Sequence, residues 1–329
     1  MKLMQDSLLF GFLVFSILAA RNFNIFYAII AGIFLNFMVN VAHNFFHQRD
    51  NWRMLIFDLT LNSSREWRIS HALSHHNYPN TIIDYEVSAL EPHFELLPKS
   101  NKSFLHRYAV IVTGSILYSV AIYSAFVYRV ILYKMGKTKF YKEDILPFLH
   151  LFLIIGLCGS LIQGLQFSFL GLHDISSEEP KRDKKLFEGN ICCISRIWLV
   201  IHTVGYYFFT LIGLTAGHHH PNIYHEGDKH LEEKDWGLHQ ILATRERGEL
   251  FMNNVFLASI SFGNHTLHHL FPTVDHSKLP YLQEVLLETC KEFDIKFEVY
   301  TPWETFKGLY LQLATIKPNL SLPSIMKKM

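Results

Sequence analysis

The sequence predicts an all-α membrane protein: two transmembrane helical hairpins and one interfacial helix, with polar segments gathered on one face to hold a histidine-rich two-metal site. Three observations predict it. Half of the 329 residues are hydrophobic and 15% aromatic, against only 18% charged, an apolar excess beyond that of an ordinary soluble domain. The apolar residues fall in runs, 8–20, 25–41, 109–133, 145–170 and 197–216, that approach or reach the roughly 20 residues needed to cross a bilayer. The histidines, 20 in all, gather largely in four tight clusters beside those runs.

Taken in chain order, the first two runs make the first hairpin, residues 7–42, turned around Arg21 and Asn22. The N-terminus has neither a basic leader nor a small-residue cleavage site, so this hairpin is expected to stay in the membrane. Polarity returns over 43–106, which carries His43, His47, His71, His75 and His76. Segments 145–170 and 197–216 form the second hairpin, within 145–217, and the polar stretch 218–329 carries the remaining clusters. Within that stretch, 280–293 is amphipathic and reads as a further helix. The chain is read as one domain, without internal repeats.

Parity settles the segment between the hairpins. If one centre gathers all four clusters, an even number of crossings separates His76 from His218, yet three apolar runs lie between them. One run must return to its own face. Residues 107–134 are expected to be that interfacial helix, because they carry several Ser and Tyr residues and end in the lysine-rich stretch Lys134, Lys137, Lys139 and Lys142.

Those lysines read as a flank under the positive-inside bias. The net charge of +1, with no basic block elsewhere, argues against nucleic acid as a partner. Cys158, Cys192, Cys193 and Cys290 have no CxxC spacing and are read as inert thiols.

The chemistry lies in the clusters. In HTLHH, His265, His268 and His269 occupy i, i+3 and i+4 of a helix and project from one face, as do His43 and His47 at i and i+4. His71, His75 and His76 supply a third set. Imidazole suits iron, zinc, copper and nickel alike. Number narrows the choice, because a catalytic zinc takes about three protein ligands and a water, whereas eight or more histidines call for two ions. No HExxH or paired ExxH pattern occurs, which disfavours a membrane zinc hydrolase and a carboxylate-bridged di-iron bundle. The isolated histidines, His93, His106, His150, His173, His202, His230, His239 and His276, read as packed or surface residues.

HNFFH at 43–47, HALSHH at 71–76 and HTLHHLFP at 265–272 resemble, in order and interval, the three histidine boxes of the membrane fatty-acid desaturase superfamily. Residues 43–92 are especially similar to the desaturase-like part of insect cytochrome b5-related proteins. The stretch HHHPNIYHEGDKHLEEKDW, 218–236, resembles the HTHPxxPHY…EWDW segment of acyl-lipid desaturases, where one further histidine serves the metal. By that alignment His218 and His220 are both candidates, and His219 has no counterpart.

The resemblance implies a helical fold with a cytosolic cap, two Fe ions held by His43, His47, His71, His75, His76, His218 or His220, His265, His268 and His269, and O2-dependent dehydrogenation of a lipid acyl chain. It also implies residence in the endoplasmic reticulum. Asp84, Glu86, Asp228, Asp235 and Asn264 are candidates to orient the imidazoles, and Phe45, Phe46, Trp67, Tyr78 and Trp236 are candidates to line an acyl tunnel. No HPGG haem motif occurs in the chain, so the electrons are expected from a separate donor, cytochrome b5 or a ferredoxin, unless the chain is a shortened isoform or fragment. Front-end desaturases have Gln where this chain has His265, and the HxxHH form is shared with relatives that hydroxylate the same carbon. Acyl-chain hydroxylation and a catalytically silent, lipid-binding relative therefore stand beside desaturation.

Overall fold

A computed structural model describes residues 1–157, 179–229 and 235–321, with backbone only over 179–192. It is mostly helical, with one two-residue parallel strand pair, β1 (Glu246–Arg247) against β2 (Val299–Tyr300). Among the described residues four helices are long and apolar enough to cross a membrane: Lys2–Asn22, Ile25–Phe46, Leu105–Lys134 and Cys193–Leu214.

The first two, α1 (Lys2–Asn22) and α2 (Ile25–Phe46), pack antiparallel. Gln5 donates to the Met38 carbonyl near one end, and Phe15 meets Phe34 and Tyr27 farther along. The turn falls two residues later than the expected Arg21–Asn22. Phe23 adopts φ 49°, and the Asn24 side chain accepts from the amides of Phe26 and Tyr27, satisfying donors that a helix start leaves open.

Helix α3 (Val110–Lys134) is preceded by a wide turn, Leu105–Ala109. By length and composition this segment, expected to be interfacial, is also able to span. The connection after it folds back on the chain ahead of His71: Arg129 pairs with Asp144 at 3.0 Å, and Arg65 with Glu143 at 3.4 Å. Helix α4 (Leu146–Gly156) begins the expected 145–170 arm, the rest of which lies outside the described residues. Helix α5 (Glu179–Leu214) lies against α2 at two glycines. A Cβ on Gly32 would stand 2.7 Å from Val204 Cβ, and one on Gly205 2.9 Å from Leu35, the close backbone approach that small residues permit between membrane helices.

Short elements complete the polar end: α6 (Trp236–Ala243), α7 (Val255–Ser261), α8 (His265–Leu270), α9 (Gln283–Glu292) and α10 (Pro302–Ala314). Within the expected amphipathic stretch, α9 buries Leu286 and Cys290 against Leu267 and Leu279, and α10 buries Leu309 and Leu313 against Leu96 and Val110. These contacts fasten the polar end to α3 and to box three.

Candidate metal centre

Four pieces of backbone deliver the histidines, each held by a local device. The last turn of α2 carries His43 and leads to His47, and its position is fixed by Asn40, whose amide donates to the Ile260 carbonyl of α7 at 2.8 Å. Box two does not sit on an α-helix. Residues Arg68–His75 form a π-helix closed by His76 N–H to the His71 carbonyl, 3.0 Å, a rare widening that is common at functional sites. The wider turn brings His71 and His76, five residues apart, to one side.

His218 follows Gly217, whose φ of 113° and close approach to the Arg245 carbonyl, 2.2 Å from any added Cβ, admit no side chain. Box three forms α8, whose first amides are capped by a buried carboxylate: Glu246 accepts from the N–H groups of His265 and Thr266 at 3.0 and 2.8 Å. Burial pushes the Glu246 pKa up to about 7, against the pull of these amides.

Among the described residues the rings gather in two groups. Nitrogens of His43, His47, His71, His76 and His268 lie within 4.8 Å of one another, and so do those of His75, His218 and His269. His265 joins the second group, its Nε2 2.6 Å from that of His218. Adjacent histidines diverge. His75 faces one group and His76 the other, and His268 and His269 separate the same way.

Four of the Nδ1 atoms face outward onto acceptors. His71 Nδ1 donates to Glu86 at 2.9 Å, His75 Nδ1 to Asp84 at 2.8 Å, His218 Nδ1 to the Ala243 carbonyl at 2.9 Å and His269 Nδ1 to Gln240 Oε1 at 3.0 Å. A neutral imidazole that donates from one nitrogen keeps a lone pair on the other, so in these four rings the Nε2 lone pair turns inward. Burial first, then one another's charge, hold His47, His76, His218, His265, His268 and His269 below the ordinary histidine range, which keeps them neutral. His75 differs. Burial opposes its charge, but Asp84 and Glu86 outweigh burial and hold its pKa up at about 9, so its surroundings are built to stabilise one positive charge on or beside the ring.

Facing lone pairs repel unless a cation lies between them, and the spacings suit one. In the first group the Nε2 pairs His43–His71, His43–His268, His71–His76 and His43–His47 are 2.6, 3.1, 3.1 and 3.3 Å apart. Two nitrogens about 2.1 Å from one ion are roughly 3 Å apart at a right angle. His269 Nε2 is buried and without a hydrogen-bond partner, the kind of orphan that a metal ligand satisfies. The donor set therefore fits two nitrogen-bound ions, and five histidines in one group exceed a tetrahedral zinc shell.

Of the other sequence candidates, His220 stays outside: its ring packs on Tyr300, 4.7 Å between centroids, and its Nδ1 accepts from Asn222 N–H. His219 is buried beside His225, 6.3 Å between ring centroids. Asp84 and Glu86 meet the imidazoles as expected. Asp228 instead accepts from the amides of His225 and Asn319, Asp235 caps α6 through Leu238 N–H, and Asn264 donates to the Met252 carbonyl. Trp67 stacks between His71 and Phe57, at 4.3 and 4.6 Å. Phe45 and Phe46 are core residues, whereas Tyr78 and Trp236 are about half exposed.

His276, read from sequence as an isolated residue, is buried with its Nε2 3.0 Å from His268 Nδ1. Gln240 and Glu246 were also missed. Gln240 comes from the eight-residue helix α6 and Glu246 from a two-residue strand, elements too short for spacing to mark a side chain that faces the boxes. Among the remaining isolated histidines, His106 pairs with Glu95 and His202 lies between the Trp198 and Leu59 carbonyls. His173 and His230 lie outside the described residues.

The fatty acid desaturase family profile matches residues 22–301. The cytochrome b5-related protein of Drosophila melanogaster is 37% identical over 93% of this chain and 64% of its own length. The sn-1 linoleoyl-lipid 6-desaturase of Synechocystis sp. is 25% identical over 77% of this chain and 66% of its own. The acyl-lipid (8-3)-desaturase of Physcomitrium patens is 24% identical over 79% and 52%. The chain thus spans between half and two thirds of the length of these relatives. No solved structure matches it.

Proposed function

The chain belongs to the fatty acid desaturase family, and from that premise we propose that it is a membrane oxidoreductase that desaturates a lipid acyl chain, using O2 and two iron ions. The divergence of His75 from His76 and of His268 from His269 carries the reading. His43, His47, His71, His76 and His268 would hold one ion, and His75, His218, His265 and His269 the other. With iron bound, the pair supplies the oxidising power needed to remove hydrogen from an unactivated methylene.

The protein's own part is positioning and exclusion. Asp84, Glu86, Gln240 and the Ala243 carbonyl fix the ring tautomers and aim Nε2 inward. The Phe57–Trp67–His71 stack walls one side of the site and keeps water from the oxidant. Neutral imidazoles bind iron while leaving room for oxygen. Electrons come from a cytochrome b5-type or ferredoxin-type donor. In this reading α1 with α2, and 145–217, form two hairpins, residues 107–134 lie at the interface, and 43–106 with 218–329 make a cytosolic cap at the endoplasmic reticulum.

The test is metal content of detergent-purified protein, wild type beside His268→Ala/His269→Ala, together with lipid analysis of expressing cells. About two irons per chain, reduced in the variant, with new double bonds in wild-type cells, is the expected result. Hydroxylated lipids with the same iron would reassign the reaction, and zinc alone or a folded, metal-free protein would overturn the reading.

A further inference from the structure

A cleft of about 440 Å³ opens between α3, the end of α5 and α10, apart from the histidines. Its walls are apolar and aromatic: Ile111 and Tyr118 from α3, Tyr207 and Leu211 from α5, Trp303 and Phe306 from α10. Its volume falls in the range of about 300–1,000 Å³ typical of ligand pockets. Recognition of a water-soluble ligand needs several convergent polar groups, and these walls offer few.

Charge on the cleft has one sign. Lys307 lines it, no carboxylate does, and among the described residues Lys307 makes no ion pair. Arg107 supplies a second cation on the same wall. Its Nε donates to the Ala314 carbonyl at 3.1 Å, and its guanidinium lies 4.9 Å over the Tyr108 ring, both residues of the cleft.

The cleft is also continuous with exposed apolar surface on the segment that lies at the membrane interface in the proposed topology. Ile111 and Val112, in the first turns of the Leu105–Lys134 segment, are 56% and 76% exposed, and Trp303 is 68% exposed. Apolar wall, bordering Tyr and Trp, and adjacent Lys and Arg reproduce the profile of a membrane–water interface.

We infer that this cleft holds an acyl chain of an anionic phospholipid from the surrounding bilayer, with the lipid phosphate against Lys307. The site needs no metal, so its failure and that of the desaturase reading are separable.

The test is thermal unfolding of full-length protein in neutral detergent with added phosphatidylglycerol, phosphatidylcholine of matched chains, or inorganic phosphate. Phosphatidylglycerol is expected to raise the wild-type Tm by roughly 2 °C or more, beyond phosphatidylcholine, and inorganic phosphate to leave it unchanged. Lys307→Glu, at an exposed position, should erase the preference for phosphatidylglycerol. Ser115→Trp, which places an indole in the cleft from the exposed side of α3, should diminish the response to both lipids. The baseline Tm in detergent alone shows that each variant is folded. Equal shifts from the two lipids, an equal shift from inorganic phosphate, no shift at all, or a full response in folded Ser115→Trp would each overturn the assignment.

Discussion

His276 Nε2 lies 3.0 Å from His268 Nδ1, the two residues being eight apart across the turn that follows box three. His268 Nε2 points at His43, so the Nδ1 contact decides the tautomer in which His268 enters the first group. His276 is itself held by its backbone, which donates to the Asn44 side chain of α2 at 2.8 Å.

Removing that support should loosen the metal without unfolding the protein. His276→Ala is expected to lower metal affinity by about 10- to 100-fold, read as iron retained per chain against rising chelator. Unchanged retention would mean that the contact is mere packing.

His218 and His220, indistinguishable in the sequence motif, should behave differently. His218 sits 3.0 Å from His75 and 2.6 Å from His265 between Nε2 atoms, whereas His220 rests on Tyr300. His218→Ala is expected to lose metal from the second group, and His220→Ala to keep wild-type content. Metal loss in His220→Ala alone would reverse the assignment.

Much of this site is legible in sequence, for reasons particular to its residues. Box one on α2 and box three on α8 follow helical spacing, so His43 with His47 and His265 with His268 and His269 are visible as sets. Box two is visible only as a cluster, because the π-turn that places His71 beside His76 comes from tertiary context. Asp84 and Glu86 follow box two closely enough to be suspected. Gln240 reaches the site from the short helix α6, Glu246 from a strand end and His276 from the start of a 3-10 turn, elements too short for a period to mark the side that faces inward. The apolar runs mark the spanning helices, but the ability of residues 105–134 to lie flat or cross depends on what packs against them, which hydropathy does not encode.

The α2–α5 contact yields a stability prediction. Gly32→Val puts branched bulk against Val204 and the Ile201 carbonyl, 2.7 and 2.8 Å from a bare Cβ, and overpacking of this kind costs about 1–3 kcal/mol. Gly213→Ala, in the same α5 but with open space around its Cβ, should gain up to about 1 kcal/mol from helix propensity. Thermal unfolding in detergent compares them, and equal effects would mean that the α2–α5 contact is looser than described.

A buried acid supplies the pH dependence. Asp58 accepts from Ser64 N–H at 3.0 Å through Oδ1, while its Oδ2 has no hydrogen-bond partner. Burial pushes its pKa up from 3.8 to about 6, against the pull of the Ser64 hydrogen bonds. Between those values the folded state binds more protons than the unfolded chain, so its contribution is fully present below pH 3.8 and is lost as pH rises through about 6. Ionised at pH 7, it costs the fold on the order of 3 kcal/mol. Asp58→Asn keeps an acceptor for Ser64 and removes the charge, so it should stabilise the protein at pH 7.5 and lose most of that advantage at pH 4.5. A gain of equal size at both pH values would locate the effect in packing and not in the carboxylate.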